Sequence, residues 1–250
     1  MTPLPRISWH RGGAELAPYA TLAAFSSAAA HGAELIEVDV RRSADGVMVC
    51  AHDPVVRGLG RLDRLSWDEL SEARPGPGRV ASFTELLDAL DAADPARRSE
   101  VHLDLKEAGF EAEAVAAVLE RGRRLVVTSS DTAVVAAARR AHPRVPALLT
   151  LGHDGSGLRP GELARVRAHE LVPFSDLEQC GASGAAAHFL LATPLLRRWC
   201  TRRGMQLLVW TVDGDAALAR WLARGDVDVV TTNRPLAASS IRERLARQAP

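Results

Sequence analysis

The stretch TLAAFSSAAAHGAELIEVDV, residues 21–40, contains a helix pattern followed directly by a strand pattern. Small apolar residues dominate its first half, and Gly32 stands where a glycine commonly ends a helix. In LIEVDV, residues 35–40, Glu37 and Asp39 share one face of a strand, and branched apolar residues take the other. A helix that leads straight into such a strand indicates an α/β fold.

The same alternation of short strands and helices continues along the chain. Parallel strands need long connections, so this alternation predicts a parallel sheet. Strands are predicted at 6–9, 35–40, 101–106, 125–129, 146–151, 186–191, 206–212 and 228–232. Eight strands in a chain of this length favour a (β/α)8 TIM barrel. An open doubly wound sheet is the alternative, but the chain has no G-x-G-x-x-G or Walker-type loop to support it.

The connection between the second and third predicted barrel strands, 41–100, is longer than a regular crossover. It contains a strand-like run at 47–53, a loop rich in Gly and Arg, a short helix pattern at 66–73 and a regular helix at 82–93. We therefore predict an elaborated loop, with a short insertion at about 54–80, at the end of the barrel where TIM-barrel active sites form. The whole chain, 1–250, is predicted to be a single domain.

Composition excludes several classes of protein. The chain is 47% hydrophobic and 25% charged with a formal net charge of zero, which argues against a general nucleic-acid or anionic-membrane binder. No apolar run approaches the roughly 18 residues of a membrane span, and the N-terminus lacks the apolar core of a signal peptide. Three cysteines without metal-type spacing favour a reduced, cytoplasmic setting. The oligomeric state is left open.

Three acids on adjacent predicted strands suggest a metal site. Glu37 and Asp39 would face a barrel interior, where two carboxylates repel one another and need a cation. Asp104, in VHLDLK, is the same kind of acid on the next strand. An all-oxygen donor set predicts Mg²⁺ or Ca²⁺, whereas zinc would favour His or Cys ligands. The alternative for the first two acids is a solvated strand face.

Two histidines and two cations also fall at predicted strand ends. His10 lies in SWHRGG beside Arg11, and His52 lies in CAHDP. An isolated histidine is more commonly a hydrogen-bonded surface residue, but imidazole suits a general acid or base, and both map to the barrel mouth. Lys106 is the only lysine of the chain. Its compact charge would fit a crowded site where a guanidinium would not.

These residues occur in the motif series HRGG, EVD, DG, HDP, LDLKEAG, VWTVD and TTNRP, which resembles the glycerophosphodiester phosphodiesterase family of the PLC-like phosphodiesterase superfamily. The resemblance covers nearly the whole chain. It implies a TIM barrel and metal-dependent hydrolysis of a glycerophosphodiester, a small-molecule substrate, to sn-glycerol 3-phosphate or a related phosphomonoester and an alcohol. In this chemistry the glycerol 2-hydroxyl can act as nucleophile and give a cyclic phosphate.

The resemblance also implies roles for individual residues, as acid and base, as metal ligands or as substrate contacts. The implied acid and base are His10 and His52, the ligands of a divalent cation (Mg²⁺ or Ca²⁺) are Glu37, Asp39 and Asp104, and the substrate contacts are Arg11, Lys106 and Trp210. Which histidine is the acid is left open, and so is the alcohol released.

The chain departs from the family pattern at two places. Pro18-Tyr19-Ala20-Thr21 stands where the family has Pro-Glu-Asn-Thr, so the acid that supports the His-Arg pair is missing, and Glu15 is a candidate to replace it. Asp104 stands where Glu is common. Two alternatives therefore remain: an impaired barrel that binds a phosphorylated ligand, or a phosphodiesterase or lyase that acts on another lipid-derived phosphodiester.

Overall fold

The computed structural model describes residues 3–72, 80–152 and 159–248, and its main sheet closes on itself. The strands are β1 (Arg6–Trp9), β2 (Leu35–Arg42), β3 (Met48–Cys50), β4 (Val55–Val56), β5 (Gly60–Arg61), β6 (Glu100–Leu105), β7 (Leu125–Ser129), β8 (Ala147–Leu151), β9 (Gly184–His188), β10 (Gln206–Trp210) and β11 (Val229–Thr232). Eight of them run parallel in the order β1, β11, β10, β9, β8, β7, β6, β2. Because β1 also pairs with β2, the sheet is a barrel. The predicted (β/α)8 fold is confirmed.

Helices cover the outside of the barrel. They are α1 (Leu22–Ala30), α2 (Trp67–Glu72), α3 (Phe83–Ala93), α4 (Glu111–Glu120), α5 (Thr132–Ala141), α6 (Pro160–Leu171), α7 (Phe174–Gln179), α8 (Pro194–Arg203), α9 (Asp215–Leu222) and α10 (Pro235–Gln248). Side-chain caps begin several of them: Asp131, the predicted N-cap of α5, accepts a hydrogen bond from the amide of Ala133. In the described part of the chain, no helix has both the length and the hydropathy needed to cross a bilayer.

The sequence prediction differs most clearly from the structure in the bounds of the sixth barrel strand. This strand was expected at 186–191, but β9 begins at Gly184 and ends at His188. A Cβ atom at Gly184 would lie 2.0 Å from the carbonyl oxygen of Gln206, so the glycine belongs to the strand because β10 passes so close. After His188 the chain turns, and Leu191 donates to the His188 carbonyl. The helices α6 and α7 were also not predicted.

The inward faces of the strands change character along the barrel axis. Toward the amino ends of the strands, an apolar layer fills the interior, formed by Leu35, Val126, Leu148, Ala186, Leu208 and Val229. The outward residues of β2, Ile36, Val38 and Val40, pack in the main core with the helices. Toward the carboxyl ends the inward positions become polar, as Glu37 and Asp39 follow Leu35 at every second residue. The polar side chains therefore line the mouth of the barrel.

The elaborated loop after β2 is confirmed as a small additional layer. β3 runs antiparallel to β2, and β4 and β5 form a two-stranded hairpin. A separate hydrophobic cluster of Val49, Val56, Leu62 and Leu70 holds this layer together. Residues 73–79 of the predicted insertion lie outside the described residues. The loop brings His52 to the barrel mouth.

Candidate functional site

The predicted site residues come together in one cavity of about 150 Å³ at the carboxyl ends of the strands. All of them line it: His10, Arg11, Glu37, Asp39, His52, Asp104, Lys106 and Trp210. A larger cavity of about 750 Å³ lies at the amino ends of the strands and contains none of them. Chemistry rather than size therefore identifies the candidate site.

The three acids form a compact cluster. Asp39 on β2 is the register partner of Asp104 on β6, and Glu37 lies one inward position below Asp39. Oxygen atoms of the three carboxylates lie within 4.8 Å of one another. Glu37 and Asp39 are only 3% and 5% exposed. Burial, together with the charges of Asp39 and Asp104, raises the pKa of Glu37 well above its usual range.

Two cations balance part of this charge. Lys106 Nζ lies 2.5 Å from Asp104 Oδ2 and 2.8 Å from Asp39 Oδ1, and Arg11 Nε lies 2.8 Å from Asp39 Oδ2. Burial acts against the charged forms, but the mutual attraction outweighs it, raising the pKa of Lys106 and lowering that of Asp39 to about 2. Three carboxylates against two cations leave a surplus negative charge. An all-oxygen cluster with this surplus fits a hard divalent cation.

Arg11 is held by the turn that follows β1. Its backbone has φ 50°, and its amide donates to Glu37 Oε2 at 2.8 Å. Gly12 follows with φ +80°, and a Cβ there would lie 2.8 Å from the backbone of Ala24 in α1. Only glycine fits this approach without displacing α1. The two site residues His10 and Arg11 are therefore positioned by a rigid turn.

The structure shows what holds Arg11 in a chain that lacks the acid of the family's Pro-Glu-Asn-Thr segment. Glu15 does not replace the missing acid, because its carboxylate accepts a hydrogen bond from the amide of Leu236 instead. The guanidinium of Arg11 is held by Asp39, and it lies over the ring of Tyr19 at 5.8 Å from the centroid. Asp39 can hold Arg11 because both reach the cavity from neighbouring strands. An acid in the 18–21 segment is not needed to orient this arginine.

His10 has a partner that the sequence prediction did not assign. Its Nδ1 lies 2.7 Å from Asn233 Oδ1, while Asn233 Nδ2 donates to Asp213 Oδ2 at 2.8 Å. Because the Asn233 amide group is fixed by Asp213, its oxygen faces His10, and Nδ1 carries the proton. The other ring nitrogen, Nε2, lies 4.0 Å from Glu37 Oε2. Burial and the charge of Arg11 lower the pKa of His10.

The motifs VWTVD and TTNRP contain Asp213 and Asn233, but nothing in their spacing links them to His10. The two residues follow the last two barrel strands, whereas His10 follows the first. Only the closure of the barrel, which pairs β1 with β11, brings them together. Their hydrogen bonds are therefore a consequence of topology.

His52 occupies a more open position than His10. It is exposed at the rim, and its Nδ1 lies 2.7 Å from Asp53 Oδ1. Its carbonyl accepts a hydrogen bond from Arg41 Nε at 2.9 Å, and Arg41 pairs with Glu107. These contacts fix the backbone of the elaborated loop at this point. The two histidines thus line one cavity from its buried and its exposed side.

Below the acids, His102 forms part of a buried hydrogen-bond chain. Its two ring nitrogens contact Ser8 Oγ at 2.9 Å and Thr128 Oγ1 at 3.1 Å. Thr128 in turn donates to Asp104 Oδ1 at 3.0 Å. Burial lowers the pKa of His102 to about 4, so the ring is neutral at pH 7. His102 therefore supports Asp104 from below.

Trp210 forms one wall of the cavity. Its indole Nε1 donates to the carbonyl of Ala186 at 2.9 Å, and its ring meets His188 edge-on with centroids 5.5 Å apart. The hydroxyls of Thr150 and Thr231 also line the cavity, and neither has a hydrogen-bond partner among the described residues. The walls thus combine an aromatic ring with two buried hydroxyl groups that have no protein partner.

Comparison with known proteins finds relatives that match about nine tenths of the chain. Probable glycerophosphodiester phosphodiesterase 2 of Mycobacterium tuberculosis is 31% identical over 235 residues, which cover 90% of this chain and 86% of that protein. The glycerophosphodiester phosphodiesterase of Caldanaerobacter subterraneus is 24% identical over 246 residues, covering 90% and 93%.

Solved structures share the fold. A glycerophosphodiester phosphodiesterase from Parabacteroides distasonis matches with a TM-score of 0.79 at 20% identity, covering 98% of this chain and 100% of that chain. A phosphodiesterase from Oleispira antarctica, solved in complex with the product sn-glycerol-3-phosphate, matches with a TM-score of 0.76 at 20% identity, covering 96% and 97%. The sequence model of the glycerophosphoryl diester phosphodiesterase family matches residues 10–237. The chain therefore belongs to the glycerophosphoryl diester phosphodiesterase family.

Proposed function

We propose that this protein hydrolyses a glycerophosphodiester to sn-glycerol 3-phosphate, or a related phosphomonoester, and an alcohol, in a reaction that depends on a divalent cation. The observation that carries the proposal is the convergence of three carboxylates, two histidines, an arginine and a lysine on one cavity. Family membership supports the reaction class, and a structural relative holds the product sn-glycerol-3-phosphate.

Glu37, Asp39 and Asp104 are the proposed ligands of Mg²⁺ or Ca²⁺, because they supply clustered oxygen atoms and a surplus negative charge. When bound, the cation would withdraw charge from the phosphoryl oxygens. With three carboxylates, Lys106 and Arg11 already present, a divalent cation would leave one positive charge, which a phosphodiester monoanion neutralises. This balance supports a phosphodiester as the ligand.

His10 is the proposed general base, and His52 the proposed general acid. With the proton of His10 on Nδ1, its Nε2 has a free lone pair toward the cavity and can take a proton from the attacking hydroxyl. The nucleophile is the glycerol 2-hydroxyl, which gives a cyclic phosphate that water then opens, or water itself. In either case a P–O bond forms as the bond to the alcohol breaks. His52, on the exposed side, can protonate the alcohol as it leaves toward solvent.

Arg11 and Lys106 are the proposed contacts to the non-bridging phosphate oxygens, and Trp210 is the proposed wall beside the alcohol groups. Arg11 keeps guanidinium donors beyond the Nε that faces Asp39, and these can bind a phosphate in pairs. Lys106 Nζ already bridges two acids, so it would share its charge between the cluster and the phosphate.

The impaired-barrel alternative loses its main support, since Asp39 orients Arg11 without an acid in the 18–21 segment. The choice between hydrolase and lyase depends on the end product. We would incubate the protein with glycerophosphocholine and follow ³¹P NMR with Mg²⁺, with Ca²⁺ and with excess EDTA. We expect metal-dependent release of sn-glycerol 3-phosphate. A cyclic phosphate as the final product would instead support the lyase alternative.

Variants of the two histidines test the assigned roles. His10→Ala and His52→Ala should each lower turnover by about 10²-fold or more. A substrate with a good leaving group, such as a nitrophenyl ester, needs little acid assistance. It should therefore restore much of the activity of His52→Ala and little of that of His10→Ala. The opposite pattern would exchange the roles, and ligand binding without turnover in the unmodified protein would support the impaired barrel.

A further inference from the structure

Large apolar side chains that are exposed in this protein are concentrated around the mouth of the barrel. Seven of the ten in the described chain lie in four segments that follow barrel strands or the β2–β3 pair. We name these residues the apolar rim: Leu16, Tyr19, Val55, Leu59, Leu190, Leu195 and Leu236. Connections after the strands of a parallel barrel all lie at one end, so the rim surrounds the entrance to the site. Of the other three, Leu119 lies in the last turn of α4, whereas Leu171 and Val172 lie in the connection after β8, outside the four segments of the rim.

The hairpin of β4 and β5 is the most clearly built part of the rim. Val56 is buried in the cluster that holds the elaborated loop, while Val55 and Leu59 are exposed. Between them Arg57 is exposed, and it has no ion pair among the described residues. Nearby, Arg61 pairs with Asp63, and His52 Nδ1 lies 2.7 Å from Asp53 Oδ1. The hairpin thus presents two aliphatic side chains and one uncompensated cation.

We propose that the apolar rim docks on a phospholipid surface, with Leu59 and Leu190 in the interface and Arg57 at the lipid phosphates. Aliphatic side chains beside a long cation suit this boundary, because the arginine can keep its guanidinium among phosphates while its stem stays in the apolar layer. The formal net charge is zero, so apolar insertion and not long-range attraction would drive docking. The assignment to lipid rests on the proposed function, since a glycerophosphodiester is what remains of a membrane phospholipid once its acyl chains are removed.

The test is co-sedimentation with vesicles of phosphatidylcholine containing one fifth phosphatidylglycerol. Leu59→Ser and Leu190→Ser should each lower the partition coefficient about tenfold. Leu119→Ser is the matched control: Leu119 is 40% exposed like Leu59, but it lies in the last turn of α4, at the other end of the barrel. This control should bind as the unmodified protein does. Arg57→Gln should remove only the salt-sensitive part of binding.

Every variant is also assayed on soluble glycerophosphocholine, where rim substitutions should leave turnover unchanged. This arm separates the two proposals, since rim-dependent vesicle binding without hydrolysis would contradict only the proposed function. Unchanged binding of Leu59→Ser and Leu190→Ser, or an equal loss in Leu119→Ser, would overturn the rim proposal. So would a dimer, detected by sedimentation velocity, that these two variants dissociate, because the rim would then bind a second copy.

Discussion

The two ends of the barrel both contain buried charges, but only one end leaves them unbalanced. At the amino end, the fully buried Arg123 contacts Asp91 and Asp94, and Arg121 also pairs with Asp91, so two cations face two carboxylates. At the mouth, three carboxylates share Lys106 and Arg11, and burial together with the charges of Asp39 and Asp104 raises the pKa of Glu37. The first arrangement is complete by itself, whereas the second gains from a further cation. This difference identifies the smaller cavity as the site.

The largest effect should come from removing the surplus charge. Glu37→Gln should lower turnover about 10³-fold, because a proposed metal ligand is lost. The free energy of unfolding of the metal-free protein should stay the same or rise, since a buried carboxylate that repels two others disappears. Activity assays and denaturant unfolding with EDTA measure the two quantities.

The exposed Glu113→Gln is the control and should keep full activity. If Glu37→Gln instead destabilised the metal-free protein by several kcal/mol, the mouth would be a balanced cluster like the one at the amino end.

The matching change at the amino end should act on stability alone. Asp94→Asn leaves part of the charge of buried Arg123 uncompensated and should lower the free energy of unfolding by about 3 kcal/mol. Turnover of the folded protein should not change. Asp88→Asn, at an exposed partner of Arg121, should cost less than about 1 kcal/mol. A large loss of turnover in Asp94→Asn would mean that the two ends are coupled.

Acid should destabilise the floor of the mouth through His102. Its pKa is about 4 in the folded protein and about 6.5 when unfolded, so between these values the unfolded chain binds more protons. The stabilising contribution is complete above pH 6.5 and is lost as the pH falls toward 4, by about 3 kcal/mol in total.

Urea unfolding of His102→Gln at pH 7 and at pH 4 isolates this contribution, because the other titrating groups are common to both proteins. The variant should lose about 3 kcal/mol less than the unmodified protein over this interval. Parallel pH profiles would show that His102 is not the group responsible.

The smallest effect in this series is expected for a change that keeps the charge. Lys106→Arg should lower turnover about tenfold or more while the protein still folds, since a planar guanidinium cannot occupy the position between Asp39 and Asp104 in the same way. Steady-state kinetics and thermal unfolding measure both properties. Full activity in Lys106→Arg would mean that any cation suffices there.

Patterns within single strands predicted most of the fold and the core of the site. The alternation of Leu35, Glu37 and Asp39 with apolar neighbours placed the acids inside the barrel, because the side-chain period of a strand is two. Gly184 was missed as a strand residue, since its reason for being there is the close approach of β10. Asn233 and the true partner of Arg11 were missed for a similar reason. These contacts join residues that only the closed barrel brings together, so the periodicity within one strand cannot predict them.

The bond between His10 and Asn233 has a consequence for how the protein is made. It joins residues 223 positions apart in the chain, across the strands that close the barrel. During synthesis the proposed base is therefore made well before its orienting partner, which lies 223 residues further along the chain. The same holds for refolding, because contacts of such long range form late and slowly. A chain whose barrel has not closed would therefore be inactive. In a refolding experiment, the return of turnover would mark the final closure of the barrel.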